Sequence, residues 1–303
     1  MGRWERALDA AGVHDTGLRA DYGRQRQQVA EYKREVALAV GLLLPDSMLP
    51  HVIAAAAFMH RTDSLLDSGP SADRRRASSD WEREVSEGLA TGRSDHPEIR
   101  PLLNSTEAHP VLRDRVRDYL AAAATDLDFA GFATEDDYQR YVDDYSLPAF
   151  MVVATLLGPD GDQTEYRAAC RTFIEASQRL DFVNDLAEDL ADGRLTIPVQ
   201  TLAAYGVTRT HLEQARSVPA VLALLTDQLD RVDRALTAGR AVVGLVPARH
   251  RPMVRCIVGV DELTSAAARS AGGTLLRRPA SPAKLAALRL LGREYLQAWR
   301  HRG

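Results

Sequence analysis

The chain carries two acidic clusters whose spacing could do chemistry. One is Asp63-Ser-Leu-Leu-Asp67 and the other is Asp185-Leu-Ala-Glu188-Asp189. Carboxylates four residues apart on a helix lie on one face, one turn apart. Like charges at that spacing repel by about a few tenths of a kcal/mol, so something must offset them. Neither pair has a Lys or Arg at the i+4 offset, and both stand among apolar residues: Phe58, Met59, Leu65 and Leu66 for the first, Phe182, Val183 and Leu186 for the second. Asp181 extends the second pair to an i, i+4, i+8 stripe. A solvated acidic face is the ordinary explanation of one such pair. Two pairs in apolar surroundings point instead to a hard cation. Mg²⁺ prefers oxygen ligands and takes one or two carboxylates plus phosphate oxygens. Two clusters facing each other across a cavity would hold divalent ions that bind and ionise a diphosphate, with nearby Arg stabilising the leaving group.

Other chemistries lack their residues. The eight His are scattered, with no H-x-H or H-E-x-x-H, which disfavours zinc. Cys170 and Cys256 have no metal-like spacing, and their apolar helical settings fit a reducing, cytoplasmic compartment. No G-x-G-x-x-G after a strand, G-x-x-x-x-G-K-[ST] or G-x-S-x-G is present, so nucleotide binding and serine hydrolysis are disfavoured. A net charge of -4 over 303 residues argues against a nucleic-acid binder. The longest stretch free of Asp, Glu, Lys and Arg is Tyr145–Pro159, shorter than the ~18–20 apolar residues of a spanning helix and interrupted by Pro148. No basic, apolar leader opens the chain, and no amphipathic basic helix stands out as a membrane contact.

Helices must position the clusters. The apolar period predicts helices over Gln25–Leu44, Ser47–Leu66, Asp80–Ala90, Pro110–Ala130 and Glu135–Leu157. It continues over Thr164–Ala191, Val218–Gly244, Ala248–Ser270 and Ala283–Trp299. An exposed loop is expected near 68–80, where Ser68-Gly-Pro-Ser71 is followed by Arg74-Arg-Arg76. No alternating run is long enough for a sheet, and no linker divides the chain. Residues 1–303 therefore read as one all-α domain, a helical bundle around a central cavity.

At these motifs the sequence resembles the squalene/phytoene synthase family, roughly from Arg34 to Leu291. Arg61-Thr-Asp63-Ser-Leu-Leu-Asp67-Ser-Gly resembles the family's first aspartate motif, and Leu43-Leu-Pro45 the L-L-P before it. Tyr141 opens a segment similar to the family's Tyr-Cys-containing helix. Asp185–Asp189 with Gly193-Arg194-Leu-Thr-Ile-Pro198 is similar to the second motif and its tail, and Leu202-Ala-Ala-Tyr-Gly206 and Gly273-Thr-Leu-Leu-Arg277 follow in family order. The resemblance implies an isoprenoid synthase fold, Mg²⁺ and an allylic isoprenyl diphosphate substrate. It assigns the metals to Asp63, Asp67, Asp185 and Asp189, with Asp181 joining them. It makes Arg61 and Arg194 candidates for the diphosphate, together with Asn184.

The departures bear on function. The family usually has Asn where Asp181 stands and Arg where Asn184 stands. The helix after Tyr141 normally holds small residues, whereas here Leu147, Pro148 and Phe150 occupy it, and the family's Ser-Phe-Tyr element is replaced by Val36-Ala-Leu38. These changes spare the metal pairs and fall on the parts that handle a second prenyl chain. They suit a branch that prenylates carbazole-type aromatics in secondary metabolism: one donor is ionised, a hydrophobic aromatic acceptor attacks, and a base takes the proton. Tyr141, Asp143, Asp144 and Tyr145 are the candidate catalytic residues for that step. Head-to-head condensation of two prenyl diphosphates explains the metal motifs equally well. A terpene cyclase needs the same ionising apparatus, and a non-catalytic relative is disfavoured by the intact carboxylates.

Overall fold

The computed structural model describes residues 2–32, 34–67, 71–123, 127 and 129–300, the side chains of Asp67 and Ser71 excepted. The first helices are α1 (Arg3–Ala10), α2 (Thr16–Tyr32), α3 (Arg34–Leu43), α4 (Leu49–Asp67), α5 (Ser71–Thr91), α6 (Ile99–Ala108) and α7 (Val111–Ala123). Then come α8 (Glu135–Tyr141), a π-helical turn Val142–Ser146, α9 (Leu147–Leu157), α10 (Thr164–Asn184) and α11 (Leu186–Ala191). The rest is α12 (Val199–Ala204), α13 (Arg209–Glu213), α14 (Pro219–Gly239), α15 (Val242–Leu245), α16 (Arg251–Ala271), a 3₁₀ turn Gly272–Leu276 and α17 (Lys284–Arg300). The fold is all-α, as the periodicity predicts. One contiguous apolar core runs from Ala7 to Ala298.

α4, α9 and α10 form the spine. α4 buries residues on most of its circumference, including Val52, Ile53, Ala54, Ala55 and Phe58, as a helix enclosed by others must. It packs between α2, α5, α6 and α9, while α10 lies along α14 and touches α9 and α16. The α10–α14 approach depends on Gly239, where a Cβ would come 2.9 Å from the Phe173 Cα. Between α9, α10 and α16, Phe150, Val153, Phe173 and Ile257 wall an apolar cavity of 30 Å³.

α2 and α3 cover the helix expected over Gln25–Leu44 as far as Leu43, residue 33 lying outside the described part. Three departures from the periodicity have physical causes. The loop expected near 68–80 is mostly helix. Residues 68–70 lie outside the described part, and 71–80 form the first half of α5. α5 is anchored by Trp81, Val85 and Leu89, buried at a four-residue spacing, so its Arg- and Ser-rich start propagates a helix that the core has already nucleated. The helix over Glu135–Leu157 widens into a π turn before Pro148. Proline offers no N–H to the Asp144 carbonyl and its ring crowds that carbonyl, and an i→i+5 turn relieves both. The helix over Thr164–Ala191 breaks at Asp185 (φ -96°, ψ 13°).

Candidate active site

The first acidic cluster stands at the end of α4. Asp63 is half-buried, and the buried Tyr119 of α7 donates its phenol O–H to Asp63 Oδ1. Tyr119 is held edge-on against Phe58, with ring centroids 5.9 Å apart. Thr62, one residue earlier, turns the other way and accepts the Trp81 indole N–H at 3.0 Å. Asp67 ends α4, but its side chain lies outside the described part.

Arg61 does not join Asp63. Residues two apart on a helix point to nearly opposite sides. Arg61 lies 3.4 Å from Glu98, with its guanidinium over the Trp81 ring. The structure thus places it on the α5–α6 side of α4, in an ion pair, and the diphosphate role expected of it is not supported there. His60 precedes Asp63 by three residues and Asp67 by seven, a helical spacing. Its ring stacks on Tyr32 with centroids 3.6 Å apart, over a 360 Å³ cavity that Gln28, Arg61, Ser64 and Glu98 also line.

The second cluster straddles the helix break. Its one-turn spacing survives, because the Asp185 N–H bonds the Asp181 carbonyl at 2.8 Å and the Asp189 N–H bonds the Asp185 carbonyl at 2.9 Å. Asp181 is exposed, Asp185 half-buried and Asp189 buried. Burial pushes the Asp189 carboxyl up to about 6, Arg194 pulls it back, and Asp185 adds to the rise. Gly193 (φ 82°) turns the chain after α11 so that the Arg194 guanidinium reaches Asp189 at 3.2 Å. The Arg194 Nε is buried and meets no acceptor among the described residues.

Asn184 bonds a distant backbone. Its Oδ1 accepts the Ala280 N–H at 2.8 Å, and its Nδ2 donates to the Ala280 carbonyl at 3.2 Å and to Asp185 Oδ1 at 3.4 Å. The side chain latches the segment before α17 to the end of α10, beside the second cluster.

An aromatic wall joins the two clusters. From Tyr119, the partner of Asp63, ring contacts run to Tyr145 (6.5 Å between centroids), to Tyr141 (5.2 Å) and to Phe182 (5.8 Å), the neighbour of Asp181. Phe129 and Phe132 complete the wall. Their loop is tied to the tail of the second cluster by a bridge between Gly131 and Leu195. Gly131 (φ 135°) leaves no room for a Cβ against the Leu195 carbonyl. Tyr141 and Tyr145 therefore belong to the site's wall. Asp143 does not: it is exposed and paired with Arg171 of α10 at 2.9 Å. Asp144 is exposed on the same π turn. The proton-accepting role expected of Asp143 and Asp144 gains no geometric support.

A half-buried acid lies one turn deeper. Ser177 precedes Asp181 by four residues on α10, and its hydroxyl bonds Asp261 of α16. Burial pushes the Asp261 carboxyl up to about 6, and its Oδ2 has no partner among the described residues. A lone Asp in an amphipathic helix reads as surface, so no sequence signal marked it.

The acidic donors are all oxygen, which suits Mg²⁺ in kind. Among the described residues no three His, Cys, Asp or Glu side chains come close enough to hold an ion by themselves. Ions here would complete their shells with water and diphosphate oxygens, as Mg²⁺ does when protein carboxylates are few.

The model of the squalene/phytoene synthase family matches residues 29–289, and the chain belongs to that family. It is 28% identical to the bifunctional protein CrtB/UppS of Streptomyces coelicolor, over 74% of this chain and 39% of that protein. It is 28% identical to phytoene synthase 2, chloroplastic, of Zea mays, over 68% of this chain and 52% of that one. The matched region thus spans less than two thirds of either relative. Among solved structures, a dehydrosqualene synthase superposes with a TM-score of 0.81 at 18% identity, covering 93% of this chain and 98% of that one. The squalene synthase HpnC of Alicyclobacillus acidocaldarius gives 0.75 at 22% identity, covering 89% and 99%. At those identities the structures establish the shared fold.

Proposed function

We propose that the chain is a divalent-metal-dependent transferase of prenyl diphosphates, and that it joins two of them head to head, the reaction of its family. The observation that carries this reading is the pair of Asp-x-x-x-Asp clusters at the two ends of one aromatic wall. Asp63, Asp67, Asp185 and Asp189 would hold Mg²⁺, with Asp181 at the rim. Bound Mg²⁺ supplies Lewis-acid stabilisation of the departing diphosphate. Arg194, with its unpartnered Nε, is placed to bind diphosphate oxygens beside Asp189. Tyr119 fixes the Asp63 carboxylate by its phenol hydrogen bond. The faces of Tyr141, Tyr145 and Phe182 would stabilise an allylic cation and exclude water from it.

A second reading rests on a specific feature. The π turn before Pro148 reshapes the wall at Tyr141–Tyr145, and Asn184 is held by Ala280. Both changes touch the place a second prenyl chain would need. They favour transfer of one prenyl group to a hydrophobic aromatic acceptor of carbazole type in secondary metabolism, although no relative described above is named for such a reaction. One experiment separates the readings: the purified protein with Mg²⁺ and dimethylallyl, geranyl, farnesyl or geranylgeranyl diphosphate, with and without carbazole or indole, read by mass spectrometry. A C30 or C40 hydrocarbon formed without acceptor supports condensation and refutes aromatic transfer. An adduct that requires the acceptor does the reverse. Asp63→Asn and Asp185→Asn should each abolish turnover in a folded protein, and near-normal activity in either would show the metals to be misplaced.

A further inference from the structure

α10 and α16 pack against each other, and their facing residues fall into layers. Phe173 and Ile257 wall the apolar cavity. One turn on, Ser177 of α10 donates its hydroxyl to Asp261 of α16. One turn further, α10 carries Asp181 of the second cluster. A helical turn advances about 5.4 Å, so Asp261 stands between the apolar floor and the acidic rim, one turn from each. Its Oδ2 is closed to solvent and meets no donor among the described residues. Burial raises its carboxyl to about 6, with Glu262 adding to the rise and Ser177 opposing it. The cations of the packed helices are engaged with other acids: Arg179 with Glu175, Arg269 with Asp233, Arg255 with Glu294 and Arg240 with Glu262. A buried carboxyl oxygen without a donor is unfavourable, and a hydrocarbon prenyl chain offers it none.

We propose that Asp261 is the proton acceptor of the prenyl transfer. This rests on the reading of the site as a prenyl transferase and applies to either acceptor. The donor's C–O bond breaks, and its electron pair leaves with the diphosphate. The π electrons of the acceptor, an alkene or an aromatic ring, form the new C–C bond and leave a carbocation on the acceptor. Asp261 Oδ2 takes a proton from the carbon next to the cationic centre, and the electron pair of that C–H bond quenches the cation. Asp143 and Asp144 face solvent, and Asp185 and Asp189 belong to the metal set proposed above; Asp261 lies between the cavity and that set. At about 6 its carboxyl is ionised at neutral pH yet still basic, the range that suits a general base.

The test separates bond breaking from proton removal. Purified full chain with Mg²⁺ is given farnesyl or geranylgeranyl diphosphate, with and without indole or carbazole, and both diphosphate release and coupled product are measured. Asp261→Asn should lower coupled product about 100-fold or more while diphosphate release falls far less, the prenyl group leaving as an alcohol after capture by water. Asp261→Glu should recover part of the coupling. Ser177→Ala removes a bond that favours the carboxylate, so the acid limb of kcat should move to higher pH. In the substrate-free chain labelled with ¹³C at Asp carboxyls, one signal titrating near pH 6 should vanish in Asp261→Asn and move upward in Ser177→Ala. Coupled product at the parent rate in Asp261→Asn overturns the proposal. Equal loss of coupling and of diphosphate release overturns it as well, because the residue would then serve bond breaking or the fold. A parent that releases no diphosphate from any donor overturns the enzymatic reading itself, an outcome distinct from a working parent beside an unaffected Asp261→Asn.

Discussion

Replacing Asn184 with Ala distinguishes a latch from a phosphate ligand. The side chain makes two neutral hydrogen bonds to the backbone of Ala280, at 2.8 and 3.2 Å. Each contributes about 1 kcal/mol net, so the variant should free the segment before α17 by about 2 kcal/mol. That segment carries the exposed, adjacent Arg277 and Arg278, a ready trypsin site. If cleavage follows local opening, 2 kcal/mol raises the open population about 30-fold. Limited proteolysis under native conditions, with the fragment mass read for cleavage after Arg277 because Pro279 blocks cleavage after Arg278, measures that rate. Urea unfolding should show a loss of no more than the same 2 kcal/mol, because the latch ties a local segment. The KM for farnesyl diphosphate should move little, since the amide faces Ala280. An unchanged cleavage rate together with a KM raised tenfold or more would refute the latch and restore the phosphate role.

Two further outcomes follow from the fold. His51 is buried, touches the His109 ring edge-on at 4.7 Å, and bonds Ser105 through Nδ1 at 3.0 Å. Burial, reinforced by His109, pushes its imidazole down to about 4 from an ordinary 6.5. The unfolded chain therefore binds the proton first: the stabilisation is complete above pH ~6.5 and is lost as pH falls towards 4, about 2 kcal/mol of it by pH 5. Burial lowers His109 and His250 as well, which adds in the same direction. Unfolding free energies at pH 7 and pH 5 check this, and equal values would contradict it; His51→Gln should flatten the difference. Gly→Ala should change sign with position. Gly239→Ala drives a Cβ to 2.9 Å from the Phe173 Cα and should cost about 1–3 kcal/mol, while Gly292→Ala on the open face of α17 should gain about 0.5–1 kcal/mol, both read from thermal melts.

Much of the helical architecture could be read from the apolar period, and the places where it could not share a cause. A period records which face is buried; it does not record where the ladder of hydrogen bonds is interrupted. Asp185 breaks α10 from α11 with no Gly or Pro to announce it, and the i→i-4 bonds on either side keep the carboxylates in register. α6 was missed because it is short and follows a Pro, although Ile99, Leu102 and Leu103 are buried. The start of α5 was misread because three arginines resemble a solvated loop, while the decision rested with Trp81 and Val85 further on. In each case tertiary packing overrode a local signal.

The site divides along the same line. The one-turn spacing of Asp185 and Asp189 was legible, because the sequence encodes positions one helical turn apart. Arg61 misled because adjacency in sequence is not adjacency on a helix: two positions turn it to Glu98. The bonds from Asn184 to Ala280 were not legible, because no residue type signals a backbone acceptor far along the chain. Tyr119 and Asp261 reach the site from α7 and α16, so only the packing of those helices against α4 and α10 gives them a role. Their partners fit the chemistry already inferred. Tyr119 offers a neutral donor that orients a carboxylate without neutralising it. Asp189 instead has a guanidinium beside it and burial working against its charge. Each end of the aromatic wall has a guanidinium at hand: Arg194 beside Asp189, and Arg74, which donates to the Leu66 carbonyl at 2.8 Å, near the end of α4. A diphosphate bound between them, as proposed, would meet Arg194 at one end and Arg74 at the other, and each keeps a buried Nε with no acceptor among the described residues.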